Sequence, residues 1–109
     1  MKSQTSLIGL VTLGIAGLMA APVVAETPAA VATFKCDEGR MIDASFYADA
    51  VELKLSDGRS LKVPQVMSGS GARYANEDES FVFWNKGDTA FVTEGADGRE
   101  TYSDCVAGK

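Results

Sequence analysis

Val51-Glu52-Leu53-Lys54-Leu55-Ser56-Asp57-Gly58-Arg59-Ser60-Leu61-Lys62-Val63 is the stretch whose pattern sets the fold class. Its first five residues alternate apolar and charged. Successive side chains of a strand point to opposite faces, so Val51, Leu53 and Leu55 share one face and Glu52 and Lys54 the other. A helix would repeat its apolar residues three and four apart. Asp57-Gly58 is a preferred pair for a two-residue type I′ turn, in which both central positions take positive φ. Leu61-Lys62-Val63 returns with the same alternation. Residues 51–55 and 60–63 therefore read as an antiparallel hairpin, wet on one face and dry on the other. Pro64 has no N–H for a ladder and is expected at a strand end or a sheet edge.

Outward from the hairpin, further strands are expected at 32–36, 41–47, 72–76, 80–85, 89–93 and 99–104. Turn residues separate most of them: Asp37-Glu38-Gly39, Glu77-Asp78, Lys86-Gly87-Asp88 and Gly95-Ala96-Asp97-Gly98. No helical stripe, repeat or low-complexity tract follows residue 26. Seven or eight short antiparallel strands must hide their edges. The expectation is an all-β, eight-stranded antiparallel barrel, with a two-sheet sandwich as the alternative. In the strand at 80–85, Phe81 and Phe83 face one way and Val82 and Trp84 the other. At least one of those faces must be buried, and Trp84 is expected in the core of so small a domain.

The chain has 109 residues, 46% of them hydrophobic, which is enough for one small domain. Lys2 precedes the uncharged apolar run Leu7–Ala20, and Pro22 and Val23-Val24-Ala25 end it before Glu26. This has the form of an export signal over residues 1–25, and an uncleaved membrane anchor is the competing reading. A leader at 26–31 and a folded domain at 32–109 follow. No cysteine near the cut would carry a lipid, so the mature product is expected to be periplasmic and soluble. It would hold 9 basic and 15 acidic residues, a net charge of −6. That balance argues against nucleic acid and anionic membrane, and leaves a basic partner open. Export exposes thiols to oxidation, so Cys36 and Cys105 read as a disulfide. A reactive or metal-binding pair is the alternative, though no basic or histidine neighbour activates either thiol. The absence of histidine excludes a Ser-His-Asp triad and histidine metal sites, and no metal or cofactor is expected.

Two stretches stand apart from the strand pattern. Ser68-Gly69-Ser70-Gly71-Ala72-Arg73-Tyr74 places four small residues together, so that the backbone can press against another surface while Ser68 and Ser70 offer hydroxyls. An ordinary flexible connection has the same composition. The spacing is not that of a phosphate-binding loop. In Phe83-Trp84-Asn85-Lys86-Gly87-Asp88-Thr89-Ala90, Lys86 ends an aromatic strand at a turn. It is either a solvated surface charge or a cation aimed at a partner's carboxylates.

Taken together the two stretches resemble a known family. Residues 68–74 fit the SGSGAxY signature of bacterial inhibitors of C-type lysozyme, the membrane-bound and periplasmic MliC/PliC group. Lys86-Gly87-Asp88-Thr89-Ala90 is similar to the second signature, YxxKGxxA, with Phe83 in the tyrosine position. The segment Ala75–Phe83 is slightly longer than the family pattern. The resemblance covers nearly all of residues 34–105, including Cys36, the Asp57-Gly58 hairpin and Cys105. It implies an eight-stranded barrel with a disulfide, and a C-type lysozyme as partner. It also implies that Ser70 and Lys86 meet that enzyme's catalytic carboxylates. Ser68, Gly69, Gly71, Ala72, Tyr74 and Gly87 would shape or extend the contact. Competing functions are a small ligand-binding barrel, a structural envelope protein, and a hydrolase with Ser70 as nucleophile and Lys86 as base.

Overall fold

In the computed structural model, which describes residues 26–108, the hairpin forms as its alternation requires. Val51, Leu53, Leu55 and Val63 are buried, and Lys54 and Lys62 are exposed. Eight strands follow one another: β1 (Ala30–Lys35), β2 (Met41–Phe46), β3 (Ala50–Leu55), β4 (Ser60–Val66), β5 (Ala72–Ala75), β6 (Phe81–Lys86), β7 (Thr89–Glu94) and β8 (Arg99–Ala107). Each pairs antiparallel with the next. The last residues of β8 return to β1, Phe34 opposite Ala107 and Lys35 opposite Val106, so the sheet closes into a barrel and not a sandwich. Closure at the end of β1 reflects the stagger that a barrel's tilted strands impose.

Inside, Phe83 is fully buried, with ring centroids of Phe34 and Tyr74 at 6.0 Å and of Phe46 at 6.3 Å. Ile42, Val92, Tyr102 and Cys105 complete this core. Each such side chain contributes about 1.5–3 kcal/mol on leaving water. Cys36, at the end of β1, is disulfide-bonded to Cys105 of β8 across a sequence separation of 69.

Four local expectations are corrected. The β3–β4 connection is a three-residue loop, Ser56-Asp57-Gly58, and not a type I′ turn: Leu55 N–H meets the Arg59 carbonyl at 2.9 Å, and of the loop residues Gly58 alone takes a positive φ, +99°. Asp57 keeps an ordinary φ and its carboxylate accepts from Arg59 N–H at 3.0 Å. Pro64 lies within β4, opposite Ala50. Gln65 N–H donates to Asp49 on the β3 side, so the Pro64 nitrogen faces β5, whose ladder begins only at Gln65. β1 begins at Ala30, inside the stretch expected as leader, because Ala30 and Val31 pair with Phe46 and Ser45. Trp84 is on the outer wall, since Phe81 and Phe83 take the inner face of β6. The expected export segment, residues 1–25, lies outside the described residues.

An ion-pair cluster ties the β3–β4 loop to β7. Arg59 donates to both carboxylate oxygens of Glu94, at 2.8 and 3.0 Å, and to Asp57 at 2.9 Å. Its guanidinium lies 5.8 Å from the centre of the Phe81 ring. The Arg59 hydrogen bonds hold the Glu94 carboxyl below the usual carboxylate range, and Thr101 Oγ1 adds a donor at 2.6 Å. A depressed carboxyl pKa stabilises the fold above the unfolded-state value near 4.5, and that contribution is lost as pH falls through the folded value. Glu94→Gln is therefore expected to be less stable than wild type at pH 7, with the difference closing as pH falls below the unfolded-state value and through the lower folded one; urea unfolding across pH checks this. Reducing the disulfide is expected to cost up to about 4 kcal/mol, the loop-entropy value for this span, read as a fall in the urea midpoint with dithiothreitol.

Candidate functional site

Strand direction alternates around the barrel, so every second connection emerges at the same end. The β2–β3, β4–β5 and β6–β7 connections share one end; the β4–β5 loop carries Ser68–Gly71 and the β6–β7 turn follows Lys86. Pairing of β5 with β6 then sets the two side by side, Ala72 opposite Asn85 and Arg73 opposite Trp84. The longer Ala75–Phe83 segment holds the β5–β6 connection at the opposite end. With Tyr74 opposite Phe83, its length leaves Lys86 where the register puts it.

Gly71 makes the approach possible. It has a φ of +70°, and a Cβ built on it would lie 2.7 Å from the Asn85 carbonyl oxygen and 3.1 Å from Lys86 Cβ. No other residue type has both the conformation and the room. Gly69 has nothing within 4 Å of such a Cβ. The Ser68 hydroxyl is spent within the loop: it donates to the Ser70 carbonyl at 2.7 Å and accepts Ser70 N–H at 3.2 Å. The Ser70 side chain is exposed and forms no hydrogen bond among the described residues. Ala72 is half-buried against the core.

The turn beyond Lys86 is equally fixed. Lys86 and Thr89 pair across it, and Gly87 takes a φ of +58° in the first turn position. The Asn85 amide donates to the Gly87 and Thr89 carbonyls at 3.2 and 3.1 Å, and Thr89 Oγ1 donates to the Lys86 carbonyl at 2.9 Å. Lys86 is exposed and makes no ion pair among the described residues. Ser70 and Lys86 border one depression of about 250 Å³, together with Trp84, Thr89, Ala90 and Phe91.

The expected site residues thus separate by place. Ser70, Lys86, Gly69, Gly71 and Gly87 lie at the exposed end, with Ser68 bracing the loop from behind. Tyr74 is buried in the barrel against Phe46 and Phe83, where burial pushes its phenol pKa up. Phe83 is its neighbour in the core, so the tyrosine position of the second signature is an interior one here. Sequence reasoning passed over Asn85, whose signal is an amide one residue ahead of a Lys-Gly turn. It also passed over Phe91, which pairs with Trp84 only through the strand register. Among the described residues no group of three or more His, Cys, Asp or Glu side chains is placed to hold a metal.

A family model described as membrane-bound lysozyme-inhibitor of c-type lysozyme matches residues 34–101, which takes in both signature stretches and most of the barrel. The chain belongs to this family. A curated relative from Yersinia enterocolitica, named membrane-bound lysozyme inhibitor of C-type lysozyme, is 46% identical over 57 residues; the match covers 52% of this chain and 44% of the relative. No solved structure matches.

The two glycines of the loop provide a contrast. Gly71→Ala is expected to cost about 1–3 kcal/mol, from left-handed strain and displacement of the Asn85–Lys86 backbone. Gly69→Ala is expected to change stability by less than about 0.5 kcal/mol. Chemical denaturation of the two variants checks the difference.

Proposed function

We propose that this protein inhibits a C-type lysozyme by entering its substrate cleft with the Ser68–Gly71 loop and the Lys86 turn, and so protects the bacterial cell wall. The observation that carries this reading is the shared position of Ser70 and Lys86. Both are exposed, border one depression and are locked together by the packing of Gly71. Membership in the inhibitor family and the name of the Yersinia relative support the choice of target.

The chemistry follows from how lysozymes work. Such an enzyme needs one carboxyl kept protonated as acid and a second kept ionised. An ammonium between them favours the charged form of both and so opposes the raised pKa of the acid. A serine hydroxyl satisfies a remaining carboxylate oxygen. Occlusion of the sugar groove adds to this. Lys86 tolerates burial because a carboxylate meets it; alone it would be costly to desolvate. The net charge of −6 on residues 26–109 steers the encounter with a basic enzyme.

On this reading the protein is an inhibitor and not a hydrolase: the Ser70 loop is exposed, and among the described residues nothing lies over it to exclude water from an acyl intermediate. We place it in the periplasm, delivered by the export segment, with both cysteines joined to each other. Among the described residues no helix is long and apolar enough to cross a membrane.

A cell-wall lysis assay tests the proposal, with a C-type lysozyme titrated by residues 26–109. Wild type is expected to block lysis stoichiometrically. Lys86→Ala is expected to lose about 2–5 kcal/mol of binding and Ser70→Ala about 1–3 kcal/mol. No inhibition by wild type at micromolar concentration would sink the function. Full potency in both variants would sink the site assignment alone.

A further inference from the structure

The depression beside Lys86 contains more than the hydroxyl and the ammonium require. Trp84 and Phe91 face each other across β6 and β7, with ring centroids 5.9 Å apart and planes 15° from parallel. On the other flank the Arg73 guanidinium lies 5.4 Å from the centre of the Trp84 ring, and Glu79 holds Arg73 at 2.7 Å. The indole is thus fixed on both sides while it stays only half-buried, on the outer wall. Met67, 93% exposed, immediately precedes the Ser68–Gly71 loop at the same end. Aromatic surface held rigid and open to water adds nothing to the barrel's interior, and it is costly to leave uncovered.

We infer that the Trp84–Phe91 stack is a second anchor of the lysozyme interface, a seat for an apolar side chain on the lip of the enzyme's cleft. The inference rests on the inhibitor reading above. Ser70 and Lys86 border the same depression as the stack, so a body that reaches both of them also covers Trp84 and Phe91. The chemistry of the seat selects the occupant. A saccharide needs donors and acceptors around its hydroxyls; the Thr89 hydroxyl is spent on the Lys86 carbonyl, and on the inhibitor reading Ser70 and Lys86 are taken by the enzyme's carboxylates, which leaves the rings of Trp84 and Phe91. An apolar protein side chain needs none. Tryptophan is enriched among residues that dominate binding energy, and a ring already held by Arg73 and Phe91 loses little freedom on association. The two halves of the site then divide the work: Lys86 supplies charge and steering, and the aromatic pair supplies apolar burial.

Titration calorimetry of a C-type lysozyme against wild type, Trp84→Ala, Trp84→Phe, Phe91→Ala and Lys86→Ala, at several temperatures and salt concentrations, tests this. Thermal melts first establish that each variant is folded. Trp84→Ala is expected to weaken binding roughly 30-fold and Phe91→Ala about tenfold, with Trp84→Phe recovering most of the loss. Both alanine variants should show a less negative heat-capacity change and an unaltered dependence of affinity on salt. Lys86→Ala should do the reverse. Wild-type affinity in both aromatic variants would overturn the inference, as would a loss of salt dependence matching that of Lys86→Ala, since the ring would then merely support the turn. Binding of a soluble chito-oligosaccharide that disappears in Trp84→Ala would assign the seat to sugar instead. Failure of wild type to bind lysozyme would bring down the inhibitor reading itself, a result distinct from the others.

Discussion

At Gly71 the chain passes so close to the Asn85 carbonyl that only a hydrogen fits on the α-carbon. That contact fixes the distance between the Ser70 loop and the Lys86 turn, and the rest of the candidate site depends on it. A hydroxyl and an ammonium on two independent loops would have to be brought together at the moment of binding, at an entropic cost. Here the cost is met when the barrel folds. Ser68 stiffens the loop from within, and Asn85 and Thr89 stiffen the turn. Lys86 and Ser70 are left exposed at that end, with no side-chain hydrogen bond or ion pair among the described residues.

The two ends of the barrel accordingly do different jobs. Arg59, Asp57, Glu94 and Thr101 lock the end away from the site with charge-assisted hydrogen bonds, which are shorter and stronger than neutral ones. Arg40 lies over Tyr102 and Arg59 over Phe81, so aliphatic and planar cationic surface covers aromatic rings near the rim. The disulfide joins β1 to β8, the pair whose ladder is short because the closure is staggered. A domain with about 80 residues in its fold has little core to spare, and these staples let the barrel present an exposed lysine and a half-buried tryptophan.

Departures from the sequence reading share a cause. Local preference alone points to a type I′ turn at Asp57-Gly58, to Pro64 at a strand end or edge and to Trp84 in the core; the contacts of the folded barrel decide otherwise. At the Ser56–Gly58 loop Asp57 keeps an ordinary φ and accepts from Arg59 N–H, while the Arg59 side chain reaches across to Glu94 of β7. Trp84 has the hydrophobicity of a core residue, but the period-two pleat admits one face of β6, and Phe81 with Phe83 already filled it.

What the sequence determined by itself was the set of strands, the inward face of the 51–63 hairpin, the expected disulfide and the two unusual stretches, because alternation, turn chemistry and composition act over a few residues. Ser70 and Lys86 were legible as residue types in suggestive settings. Their adjacency was not: it follows from which strands pair, and at which register, and the fifteen positions between them carry no local signal of either. Tertiary structure also decided which glycine is indispensable, and that Phe91 faces Trp84 across β6 and β7. Such pairings arise when distant segments compete for the same interior space, and no single segment contains that information.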